Sequence, residues 1–191
     1  MIGKAYRPCH VRVGNRVSSE EYKCRNVVLV GFMGTGKSTV SKLLADRLGW
    51  SRIDTDDEIA RRAGRSIPEI FANEGESAFR ELESAVIRDV LAGERRIVAT
   101  GGGAVLREEN RAAMLADGLV VALTADRETL LRRVIAGGEA AGRPLLAGDA
   151  EARIDALLAA RRHAYDFAHV AVDTSGRTPE EIAELVLREV L

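Results

Sequence analysis

The segment Gly31-Phe32-Met33-Gly34-Thr35-Gly36-Lys37-Ser38 follows the pattern G-x-x-x-x-G-K-S. It lies between a short β-branched run, Val27 to Val30, and a stretch with apolar residues at helical spacing, Val40, Leu43, Leu44 and Leu48. A strand entering such a loop and a helix leaving it form a phosphate cradle. Glycines let successive backbone N–H groups turn inward without Cβ clashes, and the helix start behind them adds roughly half a positive charge. Gly34, Thr35, Gly36, Lys37, Ser38 and Thr39 are therefore expected to hold ATP, with Lys37 on the β- and γ-phosphates and the Ser38 hydroxyl on a magnesium ion. The alternative is a tight strand-to-helix turn with a solvated lysine; the full match and its position favour the cradle. The loop does not say where a phosphoryl group would go.

The rest of the chain limits the answer. A length of 191 residues suits one domain and one active site. With 28 Lys and Arg against 29 Asp and Glu, no global field draws the protein to nucleic acid or to an anionic membrane. Cys9 and Cys24 lack metal-ligand partners at a recognisable spacing, and no apolar run reaches a signal-peptide core or the roughly 20 residues of a membrane span. A cytoplasmic, monomeric protein is expected.

Short β-branched runs alternate with longer helical ones, which predicts a parallel sheet covered by helices. Strands are expected at Val27 to Val30, around Ile53, at Ile97 to Thr100, Leu119 to Leu123 and Val170 to Val172. Helices are expected at 38–48, 67–73, 76–91, 108–116, 127–134, 151–164 and 178–191, the last begun by Thr178 with Pro179 at its first position. Residues 1–25 fit no element and read as an N-terminal extension to a domain spanning 26–191; residues 136–150, rich in glycine and alanine, read as a mobile lid.

Several residues at strand ends could form an acceptor site. Asp54 and Asp56 follow a short strand, where open α/β sheets bind ligands. Asp54 could face a metal ion while Asp56 takes the proton of an attacking hydroxyl; equally, the pair could be an acidic helix cap. Arg80 reads from the pattern alone as a surface partner of Glu76 or Glu83. Gly101-Gly102-Gly103, directly after a strand, suggests close approach of backbone to a ligand. Arg143 in the lid could fold over phosphates, and Arg161 and Arg162 stand at a helix end where cations also serve as caps.

Together the stretches GFMGTGKS, IDTDDEI, SIPEIFANEGESAFRELE, VATGGGAVL, GRPLLAG and R-x-x-x-Y from Arg161 to Tyr165 resemble the shikimate kinases, in family order from about residue 27 onward. The resemblance implies a three-layer α/β/α P-loop kinase fold with a five-stranded parallel sheet in the order 2-3-1-4-5. It implies Mg2+-ATP as donor and the 3-hydroxyl of shikimate as acceptor. It further implies that Asp56, Lys37 and Arg143 act on the reacting groups, and that Asp56, Arg80, Gly102, Gly103 and Arg161 bind the acceptor. Ser38 and Asp54 would serve the metal. Where an arginine usually precedes the lid's glycine pair this chain has Ile135, with Arg132 and Arg133 upstream, so the partner of adenine is left unassigned. A kinase of the same fold acting on gluconate or another cyclitol, and a non-catalytic nucleotide-dependent regulator, are the alternatives.

Overall fold

The strand β1 (Asn26–Gly31) is buried at every position, as a run of Val and Leu must be when both faces of a parallel sheet are covered. It is the middle of five strands. In this computed structural model, which describes residues 24–136 and 149–191, β2 (Ser51–Asp54), β3 (Arg96–Ala99), β1, β4 (Leu119–Thr124) and β5 (Val170–Asp173) pair in parallel in the order β2-β3-β1-β4-β5. This is the order implied by the family resemblance. The extension as far as residue 23, most of the lid and Arg143 lie outside the described residues; Cys24 is buried in the core beside β1.

The connections cover both faces. Helix α1 (Lys37–Leu48) and the last helix, α7 (Pro179–Val190), pack Val40, Leu44, Ile182 and Val186 against Val27, Leu29 and Val121 on one face. On the other, α2 (Thr55–Ala63), α3 (Ile67–Leu91) and α4 (Glu108–Asp117) bring Ile59, Ile87 and Met114 against Val28, Val30 and Val98. A third cluster, Phe32, Met33, Leu130, Val134 and Ile154, joins α5 (Arg127–Ala136) and α6 (Ala150–Ala160) to the start of the glycine loop. The chain thus leaves β1 toward one face and the neighbouring β3 toward the other. A crevice opens between them at the carboxyl ends, where such sheets bind ligands.

Two sequence expectations need correction. Helix α2 was not foreseen as an element, since only its acidic first turn, Asp56, Asp57 and Glu58, was legible beside three apolar residues in nine. The two helices expected at 67–73 and 76–91 are both present as the two parts of α3, separated at Gly75, whose φ of 83° and ψ of 174° break the helical path. Its first part is fixed separately by a capping box between Ser66 and Glu69. The helix expected to reach residue 164 stops at Ala160, and residues 161–167 form turns.

Asn26 ties the far end of the sheet together. Its buried Nδ2 lies 2.9 Å from the Gly93 carbonyl and 3.0 Å from that of Asp117, and its Oδ1 accepts the Arg96 N–H. Replacing it with Ala leaves buried carbonyls without donors. Asn26→Ala is expected to lower the unfolding free energy by about 2–3 kcal/mol, read from urea denaturation with an unchanged slope.

Candidate active site

The glycine loop holds the conformation that a phosphate cradle needs. Gly34 and Gly36 have φ of 79° and 92°, in the left-handed region, and Gly31 has no room for a Cβ, which would lie 2.3 Å from the Leu123 carbonyl oxygen. The Lys37 ammonium donates to the carbonyls of Gly31 and Phe32 at 2.8 and 2.9 Å, and the Thr35 hydroxyl donates to Phe32 as well. Lys37 is therefore folded over its own loop, buried at the base of a cleft of about 370 Å3. Gly34 through Thr39, Asp54, Asp56, Thr100 and Gly102 line this cleft with Lys37.

Asp54 takes the cap role and also reaches the helix that follows the glycine loop. It is the N-cap of α2, accepting the Asp56 N–H at 3.2 Å, and its other oxygen accepts the Ser38 hydroxyl at 2.9 Å. The cap fixes the carboxylate in the position where it meets Ser38, the second residue of α1. Asp56, the second residue of α2, points toward the glycines after β3.

Those glycines are where the acceptor-side groups meet. A Cβ on Gly101 would lie 2.7 Å from Asp56 Oδ1 and 3.0 Å from Glu83 Oε1; one on Gly103 would lie 2.5 Å from Arg80 Nη2. No residue but glycine leaves space for these groups. Arg80 is not the solvent-facing residue that helical spacing suggests. It is 8% exposed, pairs with the fully buried Glu83 at 2.8 Å and with Glu76 at 3.0 Å, and stacks over the Phe79 ring. Burial opposes the charge on Arg80, but the pull of Glu83 and Glu76 outweighs it and raises its pKa. Burial pushes the Glu83 carboxyl above its usual range; Arg80 opposes this shift and the charge of Asp56 adds to it.

Arg161 and Arg162 separate clearly. Arg161 is 5% exposed, donates to the Gly102 carbonyl at 3.2 Å and lies over the Phe32 ring; Arg162 is exposed. Arg161 also stands at the C-cap of α6, where its backbone N–H meets the carbonyls of Leu157 and Leu158. A second, smaller cavity of about 90 Å3 is lined by Arg80, Arg161, Glu83, Gly101, Gly102 and Gly103, with apolar walls from Ile67, Phe71 and Phe79. It shares Met33, Asp56, Gly101 and Gly102 with the cleft over Lys37.

Sequence reading missed the far end of the larger cleft, which Arg133, Arg177, Pro179 and Ile182 line. Arg133 donates to the carbonyls of Gly34 and Thr174, joining the glycine loop to the turn after β5. The position of Arg177 and Pro179 directly after the last strand of a parallel sheet was the available signal. The apolar wall and Glu83 carried none, since each reads as an ordinary amphipathic-helix residue.

Comparison with known proteins agrees with this arrangement. The model of the family described as shikimate kinase matches residues 33–191. A shikimate kinase of Geobacter sulfurreducens is 50% identical over 159 residues, 83% of this chain and 86% of that protein. One from Thermodesulfovibrio yellowstonii is 42% identical over 166 residues, 86% and 94% of the two chains. Among solved structures, shikimate kinase from Acinetobacter baumannii in complex with shikimate matches with a TM-score of 0.81 at 36% identity, across 86% of this chain and 92% of that one. A gluconokinase from Sinorhizobium meliloti, at 20% identity and a TM-score of 0.56, shares the fold alone. A family model that covers most of the sequence, and relatives this similar across nearly their whole length, leave one conclusion: the chain belongs to the shikimate kinase family.

Proposed function

We propose that this protein transfers the γ-phosphoryl group of ATP to the 3-hydroxyl of shikimate. The observation that carries the reading is the sharing of Asp56 between two cavities, one floored by the glycine loop and Lys37, the other walled by two buried arginines. A triphosphate in the first and a carboxylated alcohol in the second would meet at that carboxylate. The small cavity suits a compact ring acid: planar guanidinium forks for a carboxylate at one end, Phe71 and Phe79 for an apolar ring face, and Asp56 for a hydroxyl.

Each residue then has a physical task. The glycine-loop amides and Lys37 bind the phosphates, and Lys37 must release its two carbonyl acceptors for phosphate oxygens when ATP enters. Asp56 accepts a hydrogen bond from the acceptor hydroxyl, aiming its oxygen along the line of displacement. The transferred group is loosely bonded in the transition state, so the hydroxyl proton passes to Asp56 late, and aim counts for more than basicity. Arg80 and Arg161 fix the carboxylate, with Glu83 holding Arg80 in its fork orientation. From the segment outside the described residues, Arg143 is assigned by the resemblance to the phosphates.

Magnesium fits the residues present. Ser38 and Asp54 offer a hydroxyl and a carboxylate oxygen 2.9 Å apart at the cleft, the hard donors this ion takes. Among the described residues no group of three or more His, Cys, Asp or Glu could hold a metal alone, which suits an ion whose remaining ligands are phosphate oxygens and water. When bound it offsets charge on the phosphate oxygens. Among the described residues no helix is long and apolar enough to cross a membrane.

The direct test is ADP release with shikimate, quinate, gluconate and nucleoside monophosphates as acceptors. Shikimate is expected to give by far the highest kcat/KM, and a preference for gluconate or a nucleotide would refute the reading. Asp56→Asn is expected to lower kcat by at least about 100-fold while ATP affinity by calorimetry stays within about threefold. Arg161→Ala is expected to raise the KM for shikimate by roughly 30-fold or more, through loss of a buried charge contact, whereas Arg162→Ala leaves it within about twofold.

A further inference from the structure

The Gly102 carbonyl has two donors from one turn. The Tyr165 hydroxyl donates to it at 2.8 Å and Arg161 Nη1 at 3.2 Å. No peptide among the described residues is cis, so the N–H of Gly103 points opposite to that carbonyl, away from Tyr165 and Arg161. Gly103 lines the small cavity, and Arg80 lies against it. Among the hydrogen bonds of the described residues, none uses the Gly103 N–H. A glycine pair has no side chains with which to fix its own peptide plane, so something outside it must do so.

We propose that Tyr165 is a positioning residue that, through its hydroxyl on the Gly102 carbonyl, locks the Gly102–Gly103 peptide with its N–H presented to the acceptor's carboxylate. The inference rests on the acceptor site described above and deepens it. Arg161 holds that carbonyl by one N–H at 3.2 Å, a bond that any turn of its guanidinium toward a substrate would lengthen; the shorter Tyr165 bond holds the peptide while Arg161 engages. The phenol suits the task. Burial raises its pKa, with the Arg161 charge pulling the other way, so it stays protonated near neutral pH and serves the carbonyl only as a donor. Its ring packs against both the α2–α4 cluster and the α5–α6 cluster, which holds the hydroxyl in place from two sides.

Tyr165→Phe removes the hydroxyl and keeps the ring; Tyr165→Met is a second variant without the hydroxyl, should the first fail to fold. The expected result is a KM for shikimate raised about fivefold to tenfold, with kcat and the KM for ATP within about twofold. In 15N-labelled protein without substrates, the Gly103 amide resonance is expected to move from its wild-type position. An unchanged KM for shikimate, an equal rise in both KM values as a packing role would give, or an unmoved Gly103 resonance overturns the proposal. A wild-type protein without shikimate-dependent ADP release sinks the acceptor reading instead. The Gly103 resonance, which needs no acceptor, then still decides whether Tyr165 sets that peptide.

Discussion

Three residues without side chains at 101–103 let charged groups from separate elements converge on one point at the sheet's carboxyl edge. Asp56 from α2 and Glu83 from α3 crowd the space a Gly101 Cβ would take, Arg80 fills that of Gly103, and Arg161 lies 3.6 Å from that of Gly102. A single methyl at 101 or 103 would displace a carboxylate or a guanidinium by several tenths of an ångström or more. The geometry on which aim depends is thus held by backbone, the least adjustable part of the molecule, and the mobile-headed side chains are packed against it. Positioning of this kind is the main thing a phosphoryl-transfer site must supply, because the chemistry asks little covalent work of the protein.

The same economy appears in Asp54 and Arg161. The Asp54 carboxylate satisfies an N–H at the start of α2 and faces the larger cleft, while Arg161 caps α6 through its backbone N–H and lines the small cavity with its side chain. Arg80 and Glu83 differ in kind. As a buried pair they offset one another's desolvation, and losing one partner alone would leave a charge uncompensated at a cost of about 3–5 kcal/mol.

Periodicity exposed the strands, the glycine loop and the order of elements, because a buried parallel sheet writes continuous apolar runs and the loop has a fixed spelling. The paired aspartates were visible as residue types, but their division of labour was not: cap and ligand-facing roles use the same atoms. Arg80 was hidden because helical spacing tells which residues share a face and not which face is covered; that depends on the glycine run, some 20 residues downstream. Recognition of Arg80 and Arg161 came from family likeness rather than from pattern. Arg177 and Pro179 were passed over because the sequence offers a helix start there, and only the closed sheet brings that turn beside the glycine loop. Helix α2 failed to register for a thermodynamic reason: mostly polar, it is held by its cap, by the Glu58 pairs with Arg61 and Arg62, and by Ile59 at the core.

The break at Gly75 divides α3 into two mechanical parts. Arg80, Glu83 and Phe79 belong to the long part anchored in the core, whereas Ile67 and Phe71, which also line the small cavity, ride on a short, independently capped piece joined to it through one glycine. Part of the cavity's apolar wall is therefore carried on a different lever from its arginine. Substitutions on the short piece can reshape that part of the cavity's contour without moving Arg80, so the wall could drift while the charged end stays constant.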